Sequence, residues 1–372
     1  VGVKVNRVAL SSQVVTATPI ALLVTTEINA EVKQYSGEGG LEAVKEDFAE
    51  GSWVIEAVQR LLSQEVVVGG STIVPEFFQV LGVEFDPQAD DPDTDYFPFI
   101  EDAILNYDAY AIGSEYQSEA YNVWFAAYGT LSNTVTITET AYDKAAIDAG
   151  IVVLPAEKTQ RNLAYNNISD VVGYKMAGLL GKTIALSPTA RIKDRTINGV
   201  TIEHKTAANP TGTLSLNNIN ALEAVNIGSL KQNSNKSFVT NISKGLDGNY
   251  FDNVVALDYM DTSVVKTLDA LTVGSINVTM ADDGRDKTQD TVTELMNVLA
   301  SPQSGRTKAM IPQDGNGESL YAIEIPPFKD ASPTSIASRL LDEIEIFFTL
   351  STEAEDFDVT LFYATSDYRN LI

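Results

Sequence analysis

Near its carboxyl end the chain carries two strand patterns in succession, and they constrain the fold more than any other stretch. Glu343, Glu345 and Phe347 alternate with Ile344, Ile346 and Phe348; after a polar, acidic turn, Val359, Leu361 and Tyr363 alternate with Thr360, Phe362 and Ala364. A period of two puts successive side chains on opposite faces, so each run specifies a half-buried strand. Two readings fit. A strand left at a chain end is a template for pairing with another chain, which suggests assembly by strand donation; an ordinary hairpin closing its own sheet gives the same pattern.

The rest of the chain has enough apolar content for a large core. At 372 residues and 44% hydrophobic, it is long enough for two or three domains at about 150 residues each. It contains no cysteine and a single histidine, His204, which excludes disulfides, thiolate catalysis and Cys- or multi-His-based metal sites. No apolar run approaches the ~18 residues of a membrane-spanning helix and no basic-then-apolar leader is visible, so a soluble, non-secreted chain without membrane insertion is expected.

The net charge of −26 is unevenly spread. Glu27 to Asp148 holds 24 acidic and 4 basic residues, Ile151 to Gly245 holds 5 and 11, and Leu246 to Ile372 holds 22 and 8. Such a surface repels nucleic acid, while the basic middle, with Lys193, Arg195 and Lys205, can meet the acidic flank of an identical neighbour. A generic acidic surface that keeps the protein dissolved accounts for the same numbers.

Strand and helix patterns alternate through the amino half. Val3, Val5, Val8 and Leu10 suggest an extended arm, followed by a strand at Ile20 to Thr26 and a helix opened by Ser52 and carrying Trp53, Ala57, Val58, Leu61 and Leu62. A short strand at Val66 to Val68 precedes a proline-rich loop, Phe85 to Pro98, and a helix over Ile100 to Tyr107. A further helix from about Ser114 carries Tyr121, Trp124, Phe125 and Tyr128 and is expected to stop at Gly129. A strand at Thr134 to Thr138, a helix at Tyr142 to Ala149 and a strand at Ile151 to Leu154 follow. Beyond Pro188 the texture turns to short β pieces, among them Arg195 to His204 around an Asn198-Gly199 turn signal, with a helix at Asn217 to Ile227. Acidic character returns at Gly245, with helices expected at Asp261 to Leu271 and Thr288 to Ala300.

Each motif that suggests chemistry fails when its full pattern is checked. Gly181-Lys182-Thr183 resembles the end of a phosphate loop, but the glycine required five positions before Gly181 is Met176. Asp91, Asp93 and Asp95 have calcium-loop spacing with Tyr96 where glycine is needed, and Asp314, Asn316 and Glu318 have Ser319 there. Adventitious cation binding and a solvated acidic loop both fit these stretches. Asp258 with Asp261, or Asp282 with Asp283 and Asp286, make acid–base pairs only if a pocket gathers them. His204 has no identifiable nucleophile beside it, and the Trp124 cluster has core spacing. No catalytic, cofactor or metal residue is assigned, and an acidic α/β enzyme with an unrecognised carboxylate site stands as the rival class.

The Ile325-Pro326-Pro327 turn, the Ser335 to Arg339 segment and the two strands after them resemble the contractile-tail sheath proteins of bacteriophages. Gly245-Leu246-Asp247-Gly248-Asn249-Tyr250-Phe251-Asp252, with Asp258 and the following helix, is similar to that family's glycine-bounded turn into strand and helix. The strand near Ile20, Tyr35-Ser36, Phe48 and the Ser52 to Leu62 helix occur in the family's order. The resemblance implies a mixed α/β (α+β) chain: an amino-terminal exchange arm over 1–19, an inserted outer α/β region over 20–245, and an inner assembly domain over 246–372. It implies exchange strands at Val3 and Val5 and at Val359, Leu361 and Tyr363, a helical homopolymer around a tail tube protein, and baseplate and tail-terminator partners. It implies no enzymatic activity, no cofactor, a place in the virion tail and assembly in the host cytoplasm. The sheath of a bacteriocin or injection machine, or another phage tail component, fits the same residues.

Overall fold

A computed structural model describes residues 20–27, 29–37, 39–68, 71–73, 75, 77–107, 109–140, 158–166, 173–186, 188, 190–199, 216–233, 237–273, 281–301, 309–332 and 344–351. The alternation read from the amino half becomes β1 (Ile20–Thr25), β2 (Asn29–Ser36), α1 (Gly40–Asp47), α2 (Trp53–Leu62), β3 (Val66–Val68), β4 (Ser71–Ile73) and β5 (Phe77–Gly82). Next come α3 (Pro92–Asp95), α4 (Phe97–Tyr107), β6 (Ala109–Ser114), α5 (Glu119–Ser132), β7 (Val135–Thr140), β8 (Asn162–Asn166) and α6 (Tyr174–Ala185). The expected Tyr142 helix and Ile151 strand lie outside the described residues.

Six strands form one sheet in the order β2-β5-β1-β6-β7-β8. All neighbours in it are parallel except β2, which runs antiparallel along β5. The sequence of β1, IALLVT, is apolar on both faces because helices cover both sides of a parallel sheet. Ala21 and Leu23 face one core with Val54, Val58 and Leu61 of α2 and Met176, Leu179 and Leu180 of α6. Leu22 and Val24 face the other, with Ile100 and Ile104 of α4 and Tyr121 and Phe125 of α5. Trp124, on α5, stacks on Phe97 with centroids 4.8 Å apart and gives its indole N–H to Glu101, so this aromatic cluster belongs to packing.

Both ends of α5 differ from the sequence reading. Helix α5 begins after Ser118, whose hydroxyl accepts from Tyr121 N, and it runs through Gly129 to Ser132. Gly129 serves packing, since a Cβ there would lie 2.5 Å from the Phe125 ring. Among the described part of Arg195 to His204 no strand forms. Asn198 instead exchanges backbone hydrogen bonds with the Gln64 side chain and donates its amide to Ser63 O, which docks the segment on the end of α2.

The carboxyl half holds α7 (Leu216–Glu223), β9 (Leu230–Gln232), β10 (Phe238–Thr240), α8 (Phe251–Val273), α9 (Asp282–Ala300), β11 (Tyr321–Glu324), a 3-10 turn at Phe328–Asp330 and β12 (Glu345–Phe348). Helix α8 starts ten residues earlier than its amphipathic stretch at Asp261. Its first turns, through Phe251, Val254 and Val255, complete the core under the sheet. Ala256 and Met260 then enter a third core with Leu295, Met296 and Leu299 of α9, against which Tyr321, Ile323, Ile346 and Phe348 pack.

Candidate assembly surface

In an open α/β sheet, ligands bind outside the carboxyl ends of the strands, where helix N-termini offer free backbone N–H groups. Here the chain's own carboxylates hold those positions. Glu27, just past β1, accepts from Trp53 N at the start of α2, 3.1 Å away. Glu139, near the end of β7, accepts from Gly173 N at 3.0 Å and Met176 N at 2.5 Å at the start of α6. Glu115, just past β6, receives the Thr25 hydroxyl at 2.7 Å and the Thr26 amide at 2.8 Å. Burial raises the Glu27 carboxyl above its ordinary range, and the nearby Glu115 charge adds to that, against the lowering bond from Trp53.

The phosphate-loop lookalike has a different use. Gly181, Lys182 and Thr183 lie inside α6, where the missing side chain lets α6 approach α2: a Cβ on Gly181 would fall 2.2 Å from Leu61 O. Lys182 is buried and donates to Glu65 O at 3.0 Å, while burial and the nearby Arg195 charge lower its pKa. Asp91 caps α3 by accepting from Asp93 N, and Asp314 folds a turn by accepting from Asn316 N and Glu318 N. Among the described residues, no group of three or more metal-ligating side chains gathers, and no helix is long and apolar enough to cross a membrane.

Asp258 and Asp261 do not form an acid–base pair. Asp258 takes both ends of the Arg161 guanidinium, at 2.5 and 2.8 Å, and the Tyr110 hydroxyl at 3.2 Å. This buried cluster ties β6 and the start of β8 to α8. Nothing local in the sequence announces it, since Arg161 and Asp258 are 97 positions apart. A cleft of about 170 Å³ opens nearby between Tyr110, Asn133, Leu186 and Tyr259, at the amino ends of β6 and β7; its described lining has no carboxylate or imidazole.

The third core presents a different kind of surface. Strands β11 and β12 pair antiparallel with Tyr321 opposite Phe348 and Ile323 opposite Ile346. Thr349 N donates to Leu320 O, which continues that register as a hydrogen-bonded pair. By alternation, Tyr321, Ile323, Ile346 and Phe348 point their backbone N–H and C=O groups outward, at the two outer edges of the sheet; of these, the Tyr321 N–H donates to Ser319 O at 2.9 Å. Among the described residues no strand pairs with either edge. A two-stranded sheet over an apolar core is marginal alone and gains from added strands.

Of the residues singled out from the sequence, Val3, Val5, Val359, Leu361, Tyr363, Lys205 and His204 lie outside the described residues. Lys193 and Arg195 stand on the 190–199 segment, which Thr240 holds through bonds with Asp194 N, Arg195 N and Arg195 O. The expected boundary at Gly245 immediately precedes Leu246, whose N–H bonds Asn162 O at 3.0 Å.

No protein-family model matches the chain, and no curated protein does. Solved structures do. The sheath complex of an extracellular contractile injection system, PVC, in its contracted state, superposes with a TM-score of 0.65 over 99% of this chain and 98% of that one, at 10% identity. The chain has the contractile-sheath fold. The contracted helical sheath of the anti-feeding prophage matches it with a TM-score of 0.63 over 98% of this chain and 99% of that chain, also at 10% identity. The sheath tail protein from Desulfitobacterium hafniense matches with a TM-score of 0.53 over 87% and 93%, at 11% identity. These correspondences run the length of the sheath subunits, so the mixed α/β architecture expected from the sequence is the one observed.

Proposed function

We propose that this chain is the structural subunit of a contractile sheath, polymerising helically around a rigid tube and shortening to drive that tube through a target envelope. The near-complete overlap with sheath subunits, over 98–99% of the chain, carries the reading. The edges of β11–β12 support it, because among the described residues no strand pairs with them and they offer backbone groups for strand addition. Its role is mechanical rather than catalytic, in keeping with carboxylates that cap their own helices. Residues 1–19 form the exchange arm, 20–245 the outer region and 246–372 the inner assembly domain. Val3 and Val5 donate one strand to a neighbour, and Val359, Leu361 and Tyr363 another, while Lys193, Arg195 and Lys205 face acidic surface on an adjacent copy. Its partners are further copies of itself, the tube protein, and baseplate and terminator proteins, in a tail assembled in the bacterial cytoplasm.

A phage tail, or the related sheath of a contractile bacteriocin or injection machine, is the setting for such a subunit. Negative-stain microscopy of the concentrated protein tests the reading, which expects sheath-like cylinders where an enzyme would give discrete particles. Deleting Val1 to Val8, or Asp358 to Ile372, is expected to leave a folded subunit by circular dichroism that no longer forms cylinders. Long cylinders from both truncated proteins would overturn the strand-exchange mechanism.

A further inference from the structure

Arg285, in the first turns of α9, is 3% exposed. Its Nη1 donates to Pro326 O at 2.6 Å. Its Nε and Nη2 are buried and, among the described residues, have no hydrogen-bond partner. Among the described residues no carboxylate forms an ion pair with it. Nε and Nη2 share one edge of the guanidinium, the fork that receives both oxygens of a carboxylate side-on. A buried guanidinium without an anion is costly, and such charges are normally paired.

The turn that Nη1 bonds is only partly buried. The turn at Ile325, Pro326 and Pro327 lies at the surface, anchored to α9 by the Arg285–Pro326 bond and by Phe328 N donating to Asp282 Oδ1 at 2.7 Å. We propose that the Arg285 fork receives a carboxylate from a second copy of this chain, so that its charge is paired only on assembly. A second copy suits the chemistry because the chain carries 51 acidic residues against 25 basic ones, leaving many carboxylates free to be donated. The inference rests on the sheath reading, and it places one polar contact between copies beside the β11–β12 sheet.

The test compares Arg285→Met and Arg285→Lys with the parent, in the unassembled subunit and in cylinders. Methionine keeps the packed stem and removes the charge, so the free Arg285→Met subunit should melt no lower than the parent, and up to a few degrees higher. Its critical concentration for cylinder formation should rise at least about tenfold. Arg285→Lys, a cation without the fork, should assemble almost as poorly. Electron cryo-microscopy of parent cylinders should place carboxylate oxygens of an adjacent copy about 2.7–2.9 Å from Nε and Nη2. Cylinders in which those atoms bond the same chain, or a neighbour other than a copy, would overturn the proposal and leave the sheath reading intact. So would an Arg285→Met protein that melts lower yet assembles like the parent. Failure of the parent to form cylinders at any concentration would overturn both.

Discussion

Removing the Asp258 carboxylate would leave the Arg161 guanidinium buried without its bidentate partner, and breaking such a pair from one side costs about 3–5 kcal/mol. Asp258→Ala should therefore lower the free energy of unfolding by that amount in urea titration, and Arg161→Met combined with Asp258→Leu should recover most of it. A single variant near parent stability would mean that the cluster does not hold β8 to α8. Glu27 gives a pH signature of opposite sign to a paired carboxylate. Burial, with the Glu115 charge, raises its pKa, so the folded state holds the proton more tightly than the unfolded chain. Its contribution to stability is fully present below the ordinary value near 4.5 and is lost as pH rises through the raised one. The stability difference between the parent and Glu27→Gln should shift against the parent as pH climbs through that window. A shift in its favour would contradict the assignment.

Among the elements, β12 can be tested apart from its pairing with β11. The Ile346 N–H points outward, so Ile346→Pro removes an edge donor while sparing the β11–β12 ladder. The variant should stay folded by circular dichroism, with some loss from the third core, and should stop forming cylinders; Ile346→Val should assemble. The sequence made β12 legible because its two-residue period faces one core. It also made α2 legible, since Trp53, Ala57, Val58 and Leu61 recur at helical spacing and are buried in one core. It obscured α8, whose amino half is buried by the sheet core and whose carboxyl half is buried by α9, so only the stretch after Asp261 reads as one-sided. Asn198-Gly199 suggested a hairpin because turn chemistry is local, whereas the partner it found, Gln64, is distant in the chain. Arg285 was invisible for a related reason: burial and an orphaned fork are properties of packing that no local pattern encodes.

At the scale of the whole molecule, α8 links the sheet core to the third core as one continuous helix, and packed cores resist continuous deformation. Extended and contracted assemblies should therefore superpose closely over Thr26 to Gly245 and over Leu246 to Leu350, with the change taken up at Ser11 to Thr18 and Ser351 to Asp356. Reversing Lys193, Arg195 and Lys205 together to Glu should weaken assembly more than folding, with the difference muted by salt as screening shortens to about 8–10 Å. Equal assembly at low salt would return the charge pattern to a role in solubility. The central claim is that copies of this chain join by adding strands to β11–β12, and a helical reconstruction of the concentrated protein by electron cryo-microscopy tests it most directly. The account predicts cylinders in which strands from adjacent copies lie along the outer edges of β11 and β12; discrete particles, or cylinders in which that sheet remains two-stranded, would contradict it.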